Sequence, residues 1–146
     1  SRNKDGSWTK KGDKSFFGYK AHVKTRRGTK IVESLAITTA KVSDTAIDLA
    51  NSEDIIYRDK GYVGTPTRAK GDGTMKRGKL SVGEMLRNKR IQSKRNQGEH
   101  PFGTIHRAMN GGKTKLTTLY RVFVQQIFVF GAYNIFRLLT MTKMQA

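Results

Sequence analysis

The sequence predicts a single α/β domain with a mixed sheet, on the basis of three observations. Its 146 residues suffice for one compact domain but not for two. Two adjacent strand patterns are followed by a short helix signal, a third strand at residues 54–58, and then helical patterns only. The chain has no cysteine, which excludes disulfides and Cys-based metal sites. This order of elements argues against an all-helical DNA-binding module.

The first half of the chain carries the strand signals. Residues 1–15 are polar and rich in Gly and Lys, so we expect a flexible basic arm. Apolar and polar residues alternate over 17–24, the period of a half-buried strand. Residues 31–39 are rich in β-branched side chains, and the turn residues at 26–28 predict an antiparallel hairpin. The run at 54–58 is more continuously apolar, which predicts a more central strand.

Two short segments carry helix-capping signals. Ser43 or Asp44 can cap a short helix that extends to about Ala50. Ser81-Val82-Gly83-Glu84 is a capping-box pattern, which predicts a helix running to about Arg90.

The last part of the chain predicts two further helices. Pro101 suits the first turn of a helix, which keeps Glu99 at or just before its start. Residues 116–140 are apolar nearly all round and predict a long buried helix. Its most apolar stretch, 122–136, is shorter than the roughly 20 residues of a membrane span, so we expect no membrane partner.

The charge of the chain predicts a polyanionic partner. Lys and Arg number 29 against 11 Asp and Glu, a formal net charge of +18. Such an excess favours nucleic acid over a membrane surface. Only the segment 31–59 is acidic, and it overlaps the strand signals, so the basic stretches are expected to flank the core.

Two carboxylates stand out within the basic background. Asp59 ends the third predicted strand, where it is either a turn residue before Gly61 or a ligand at the carboxyl edge of a sheet. Glu99, read alone, is an ordinary acid at a helix start. Arg95 lies four residues before Glu99, where it can pair with that carboxylate or contact a DNA phosphate.

Four segments, taken together and in order, resemble the DDE transposases of prokaryotic insertion sequences. They are residues 10–22 (KKGDKSFFGYKAH), 38–44 (TTAKVSD), 57–62 (YRDKGY) and 95–107, in which Arg95 and Glu99 precede Phe102 and Ile105-His106-Arg107. Relatives often have His at the place of Ser43. A common form of the family signature has Tyr and Lys where this chain has Gln92 and His106.

The resemblance implies a ribonuclease-H-like fold, a mixed sheet with flanking helices. It also implies a two-ion Mg²⁺ (or Mn²⁺) site held by Asp, Asp and Glu, in which Asp59 and Glu99 are the second and third catalytic and metal-binding residues. The implied reaction is phosphodiester hydrolysis and strand transfer at transposon ends. The implied setting is cytoplasmic and nucleoid-associated, with transposon-end and target DNA as partners and a homodimer as a possible assembly. The DNA-binding residues it implies are Lys60, Arg87, Lys89, Arg90, Lys94, Arg95, His106 and Arg107.

The resemblance also implies that one catalytic residue is missing. In the family the first catalytic Asp lies on a central first strand, upstream of the strand that corresponds to 16–22. Asp5 and Asp13 are poor substitutes, and Asp44 fits an N-cap better than a ligand. We therefore expect 1–146 to be a partial catalytic domain with little or no activity alone. The strands that flank the missing one should each have an unpaired edge.

Three alternatives stay open from the sequence. The first is a non-catalytic basic nucleic-acid-binding protein, which fits the charge and size. The second is a nuclease of the same fold, which would share the metal site. The third is a decayed transposase fragment without activity.

Overall fold

The computed structural model describes residues 5–145, and an antiparallel sheet forms its first half. The strands are β1 (Ser7–Lys11), β2 (Lys14–Thr25) and β3 (Val32–Thr39), in the order β1-β2-β3. The beginning of β2 pairs with β1, and the remainder of β2 pairs with β3. The predicted hairpin of the second and third of these strands is confirmed.

The first strand corrects the expectation of an arm at residues 1–15. Residues 7–11 pair with β2 through a two-residue connection, Gly12-Asp13, in which Gly12 has a positive φ of 60°. A Gly at this position is typical of tight hairpin turns because it adopts that conformation without steric cost. Residues 1–4 lie outside the described part of the chain.

The third predicted strand forms a short parallel pair. β4 (Ile55–Ile56) lies beside β5 (Gly71–Asp72). Backbone N–H groups of residues 71, 73 and 75 donate to the carbonyls of residues 54, 56 and 58, so the pairing covers the predicted segment 54–58. The expectation of a more central strand is not met within the described residues, because β4 pairs on one side only and Ile55 is 65% exposed.

The helices largely follow their capping signals. α1 (Val82–Arg95) begins with the predicted capping box of Ser81 and Glu84, and it ends five residues later than expected. α2 (His100–Ala108) follows a 3-10 turn at Asn96–Glu99, so Glu99 stands at the helix start as predicted. The short helix expected to reach Ala50 is only a single 3-10 turn, Asp44–Ala46.

The core lies between the β2–β3 hairpin, α2 and the long helix α3 (Leu119–Gln145). Val32, Ile105, Phe130 and Tyr133 form its buried cluster. The Tyr133 hydroxyl donates to the carbonyl of Lys30 at 2.9 Å and lies 3.0 Å from Nδ1 of His100. Because the hydroxyl donates its one proton to the Lys30 carbonyl, its oxygen is the acceptor in the second bond, and His100 Nδ1–H is the donor.

Asn134 and Arg137 extend this attachment of α3 to the hairpin. The Asn134 amide both accepts from the backbone N–H of Val32 and donates to its carbonyl, at 2.9 and 2.8 Å. Arg137 Nε donates to the carbonyl of Thr29 at 2.8 Å. One face of α3 is therefore bonded to the turn between β2 and β3.

The opposite face of α3 corrects the expectation of a buried helix. Val122, Gln126, Phe130 and Tyr133 are buried, but large apolar side chains on other faces are exposed to solvent. These are Tyr120, Ile127, Phe128, Ile135, Phe136, Leu138, Leu139 and Met144.

By length and composition, α3 also satisfies the criterion for a membrane span. Its stretch Leu119–Met144 has a mean hydropathy of 1.4. Core helices of soluble proteins satisfy the same criterion. The expectation that the chain has no membrane partner therefore stays a prediction.

We predict that Tyr133→Phe destabilises the domain by about 1–3 kcal/mol, because it removes the hydrogen-bond partner of two half-buried polar groups, the Lys30 carbonyl and His100 Nδ1. Urea denaturation followed by circular dichroism measures this change in the free energy of unfolding. Tyr120→Phe is the matched control on the same helix; Tyr120 is 76% exposed, so the change should cost less than about 0.5 kcal/mol. Equal effects of the two substitutions would contradict the role given to Tyr133.

Candidate active site

A groove of about 1210 Å³ lies between β2 and β4. Residues 20–27 line one side, and residues 54–59 line the other. At one end Lys24 Nζ reaches across to Asp54 Oδ2 at 2.9 Å. At the other end Lys20 Nζ lies 3.3 Å from Asp44 Oδ1. Burial raises the pKa of Tyr62, and the charges of Asp44 and Asp59 raise it further, so both carboxylates lie near this tyrosine. The middle of β2 thus lies near the end of the β4 segment and the last part of β2 near its beginning, so the two strands run antiparallel across the groove.

Both strands present an unpaired edge to this groove. Within residues 5–145, the second half of β2 pairs only with β3, and β4 pairs only with β5. Unpaired edges are typically covered in folded proteins, because their N–H and C=O groups offer a template for another strand. The unpaired edges were expected, while the strand between them stays a prediction.

Asp59 lies at the carboxyl end of the β4 segment and lines the groove. Its Oδ1 accepts from the backbone N–H of Gly61 at 2.7 Å and so caps a 3-10 turn, Lys60–Tyr62. A Cβ at position 61 would come within 2.8 Å of that oxygen, which explains why glycine follows two residues after the aspartate. The interpretation of Asp59 as a turn residue is confirmed. Its second carboxylate oxygen, Oδ2, has no hydrogen-bond partner among the described residues.

Arg58 fixes the loop that follows Asp59, a role that the sequence analysis missed. Its guanidinium donates to Thr74 Oγ1 and to the Thr65 carbonyl, each at 2.9 Å, and also binds Asp72. Arg58 and Asp59 both line the groove, and the guanidinium of Arg58 holds the loop while Asp59 caps the turn. No local pattern in the sequence signals these contacts of Arg58.

Glu99 reaches the same groove from the helical side. It ends the 3-10 turn between α1 and α2, and its Oε1 accepts from Arg95 at 2.9 Å, the predicted pair. The side chain is 65% exposed, so this pair contributes little to stability. Gln97, two residues earlier, accepts from the backbone N–H of Gly28 at 2.7 Å and ties this turn to the hairpin.

The two carboxylates do not make a complete metal site. No group of three or more His, Cys, Asp or Glu in the described part of the chain is arranged to hold a metal ion. Mg²⁺ prefers several oxygen ligands in octahedral geometry. Asp59 and Glu99 supply oxygen of the right kind, but fewer ligands than a tight site needs.

Asp44 is a third carboxylate at the groove, but it is engaged by cations. Ser43, rather than Asp44, caps the 3-10 turn by accepting from Thr45. Asp44 pairs with Lys20 and lies 3.8 Å from the His22 ring. Burial lowers the pKa of His22, an effect that Asp44 opposes and Lys20 reinforces.

Some side chains expected to bind DNA are exposed to solvent, and others are held by contacts within the domain. Lys60, Lys89, Arg90, His106 and Arg107 are exposed, although Arg107 also makes a contact within its own helix. The others make contacts within the domain. Arg87 donates to the Thr74 carbonyl, Lys94 lies 4.7 Å above the Tyr57 ring, and Arg95 binds Glu99.

Comparison with known families identifies the class of protein. A model of the transposase DDE domain matches residues 1–135, and the chain therefore belongs to that family. Searches of curated proteins and of solved structures gave no match. Membership implies a protein of DNA transposition, and it confirms the family suggested by the four sequence segments.

We predict that Asp54→Asn destabilises the domain at neutral pH and not in strong acid. The backbone N–H of Asn51 and then Lys24 lower the Asp54 pKa below its usual 3.8. A carboxyl with a lowered folded-state pKa stabilises the fold above its unfolded pKa, and this contribution is lost as the pH falls through the folded value. The two unfolding free energies should therefore differ at pH 7 and converge near pH 2.

The neighbouring Glu53→Gln variant is the control, because Glu53 is 84% exposed and 3.9 Å from Lys70. It should match the parent protein at both pH values. A constant difference between Asp54→Asn and the parent across this range would show that the ion pair across the groove is not the cause.

Proposed function

We propose that the chain is part of the catalytic domain of a transposase that cuts DNA at transposon ends and joins it to a target. Asp59 and Glu99 are two of its three catalytic carboxylates in this proposal. The third is carried by a strand of the same protein that inserts between β2 and β4. The observation that carries the proposal is that Asp59, Glu99 and two unpaired strand edges line one groove.

The direction of the flanking strands supports the insertion of one strand. Because β2 and β4 run antiparallel across the groove, an inserted strand is parallel to one and antiparallel to the other. Such pairing continues the mixed sheet and satisfies both edges. A side chain on that strand beside Asp59 would face the groove that Glu99 borders.

The residues present have distinct tasks in this proposal. Asp59 Oδ2 and the carboxylate of Glu99 would hold a divalent metal ion, such as Mg²⁺ or Mn²⁺, while Arg95 orients Glu99. When bound, such an ion stabilises charge on the phosphoryl oxygens and activates the attacking hydroxyl. Gly61 fixes the Asp59 carboxylate by its N–H, and the Arg58 contacts hold the loop behind it.

Positive charge around the groove supports DNA as the ligand. Lys94 and Arg95 line the groove, and Lys89 and Arg90 extend the positive charge along the exposed side of α1. Phosphate contacts of this kind position a duplex without reading its sequence. With two carboxylates only, the isolated chain is expected to bind DNA without cutting it.

The catalytic assignment predicts that Asp59→Asn or Glu99→Gln reduces cleavage and strand transfer by the complete transposase to background. Asp13→Asn is the control, since Asp13 is exposed in the β1–β2 turn. Cleavage of labelled transposon-end DNA with Mg²⁺ or Mn²⁺ measures both steps. Full activity in either of the first two variants would disprove the assignment. Cleavage by the isolated chain would disprove the need for a third carboxylate from an inserted strand.

The DNA path predicts that Lys89→Ala with Arg90→Ala lowers affinity and reduces the slope of log K against log salt by about 1.8, roughly 0.9 per phosphate contact. Lys113→Ala with Lys115→Ala removes the same charge from exposed residues between α2 and α3. This control should leave the slope nearly unchanged. Equal slopes for the two double variants, measured by fluorescence anisotropy, would exclude α1 as the DNA path.

A further inference from the structure

The hairpin of β1 and the first part of β2 carries exposed aromatic side chains. β3 pairs with β2 only from Tyr19 onwards, so residues 7–18 form a two-stranded ribbon that extends beyond the end of β3. Trp8, Phe16 and Phe17, called here the hairpin aromatics, are 67%, 50% and 45% exposed. Large apolar rings gathered on one exposed segment indicate a binding surface rather than part of a core.

The ladder of the hairpin places aromatic rings on both of its faces. Trp8 lies directly opposite Phe17, and their ring centroids are 5.3 Å apart with a tilt of 59° between the ring planes. Phe16 precedes Phe17 along the strand, so it lies on the other face, and it lines the groove. The cross-strand contact with Phe17 supports the Trp8 ring, which stays accessible to a planar ligand.

The lysines of the hairpin give this surface a positive charge. Residues 7–18 contain three lysines and one acidic residue. Lys11 and Lys14 lie directly opposite each other, a pairing that destabilises the free hairpin. The side chains of Lys10, Lys11 and Lys14 are exposed and form no ion pair among residues 5–145. A polyanion bound between Lys11 and Lys14 would relieve their repulsion.

We infer that the hairpin aromatics stack on unpaired bases of single-stranded DNA, whose phosphates bind the hairpin lysines. Aromatic rings beside a basic path commonly bind single strands, because every base presents a flat face for stacking. In a duplex the neighbouring base pairs cover those faces, so the ligand is a single strand. The inference rests on the proposed function, which supplies DNA as the ligand of the groove.

The hairpin lies where a DNA strand in the groove would continue. Lys11 and Phe16 line the same groove as Asp59 and Glu99. Lys20, at the Asp59 end of the groove, is four residues from Phe16 along β2, roughly 13 Å at about 3.3 Å per residue. A strand end produced by cleavage at the carboxylates would lie a few nucleotides from the hairpin. Bases at such an end unpair more readily than bases inside an intact duplex.

The charge of the hairpin favours DNA over a protein partner. The centres of protein–protein interfaces contain few lysines. Here Lys10 follows Trp8 by two residues, and Lys14 precedes Phe16 by two. Residues two apart in a strand share a face, so a lysine accompanies an exposed ring on each face. A protein partner would have to bury these charges, whereas DNA phosphates neutralise them.

Fluorescence of Trp8 tests the stacking directly, because the chain has no other tryptophan. Titration with oligothymidylate in the presence of EDTA should quench the emission until it saturates. An abasic oligonucleotide of the same length is the matched ligand control, because it carries the same phosphates and no bases. Equal quenching by the two strands, or quenching by neither, would overturn the inference.

Substitutions at Trp8 separate stacking from the folding of the hairpin. Trp8→Ala should weaken the binding of labelled oligothymidylate at least about 5-fold, measured by fluorescence anisotropy. Trp8→Phe keeps a stacking ring and should retain most of the affinity. Phe128→Ala is the matched control, because it removes a ring of similar exposure from α3, and it should leave the affinity unchanged. Equal losses in Trp8→Ala and Phe128→Ala would contradict the inference.

A protein ligand and a failure of the proposed function give different results. A blue shift of the Trp8 emission as the protein concentration rises, without DNA, would show that protein covers the hairpin, and it would overturn the inference. Neither measurement requires a metal ion or cleavage. Absent quenching together with normal cleavage by the complete transposase would reject the hairpin site and leave the roles of Asp59 and Glu99 intact.

Discussion

The hydroxyl of Tyr133 joins the three parts of the domain on which the groove depends. It donates to the Lys30 carbonyl at the β2–β3 turn and accepts from His100 at the start of α2. Burial lowers the pKa of His100, and nearby cations lower it further, which favours the neutral ring with its proton on Nδ1. Because His100 directly follows Glu99, the same contact fixes the position of that carboxylate relative to β2. The core thus determines where the helical side of the groove lies.

Local signals in the sequence predicted local structure correctly. They failed where contacts with distant parts of the chain determine the structure. The Ser81–Glu84 capping box is complete within four residues, and it formed as predicted. Glu99 was expected at a helix start and lies there. Gly12-Asp13 is also a local hairpin signal, but the surrounding lysines made residues 7–11 look like a solvated arm. The exposure of Phe128 could not be predicted, because apolar composition does not say which face of a helix another element covers.

The groove itself was only partly predictable. Its two carboxylates follow from the strand end at Asp59 and the helix start at Glu99. The unpaired edges were expected from the resemblance, which implies a central strand between them. The cation that engages Asp44 did not follow, because Lys20 lies on another strand. Nor did the contacts of Arg58, whose partners lie up to sixteen residues away in the chain. Under the proposed function these features share a purpose, since DNA requires positive charge and a metal ion requires negative charge along one open groove.

The central claim is that Asp59 and Glu99 form parts of one metal site. A Mn²⁺ titration of the ¹⁵N-labelled chain tests it most directly, because the bound ion broadens amide signals of nearby residues. The account predicts that signals of residues 59–62 and 95–99 broaden together, at one Mn²⁺ concentration, and that Asp59→Asn or Glu99→Gln weakens both effects. Broadening of the two segments at different concentrations, or of other acidic segments first, would contradict it.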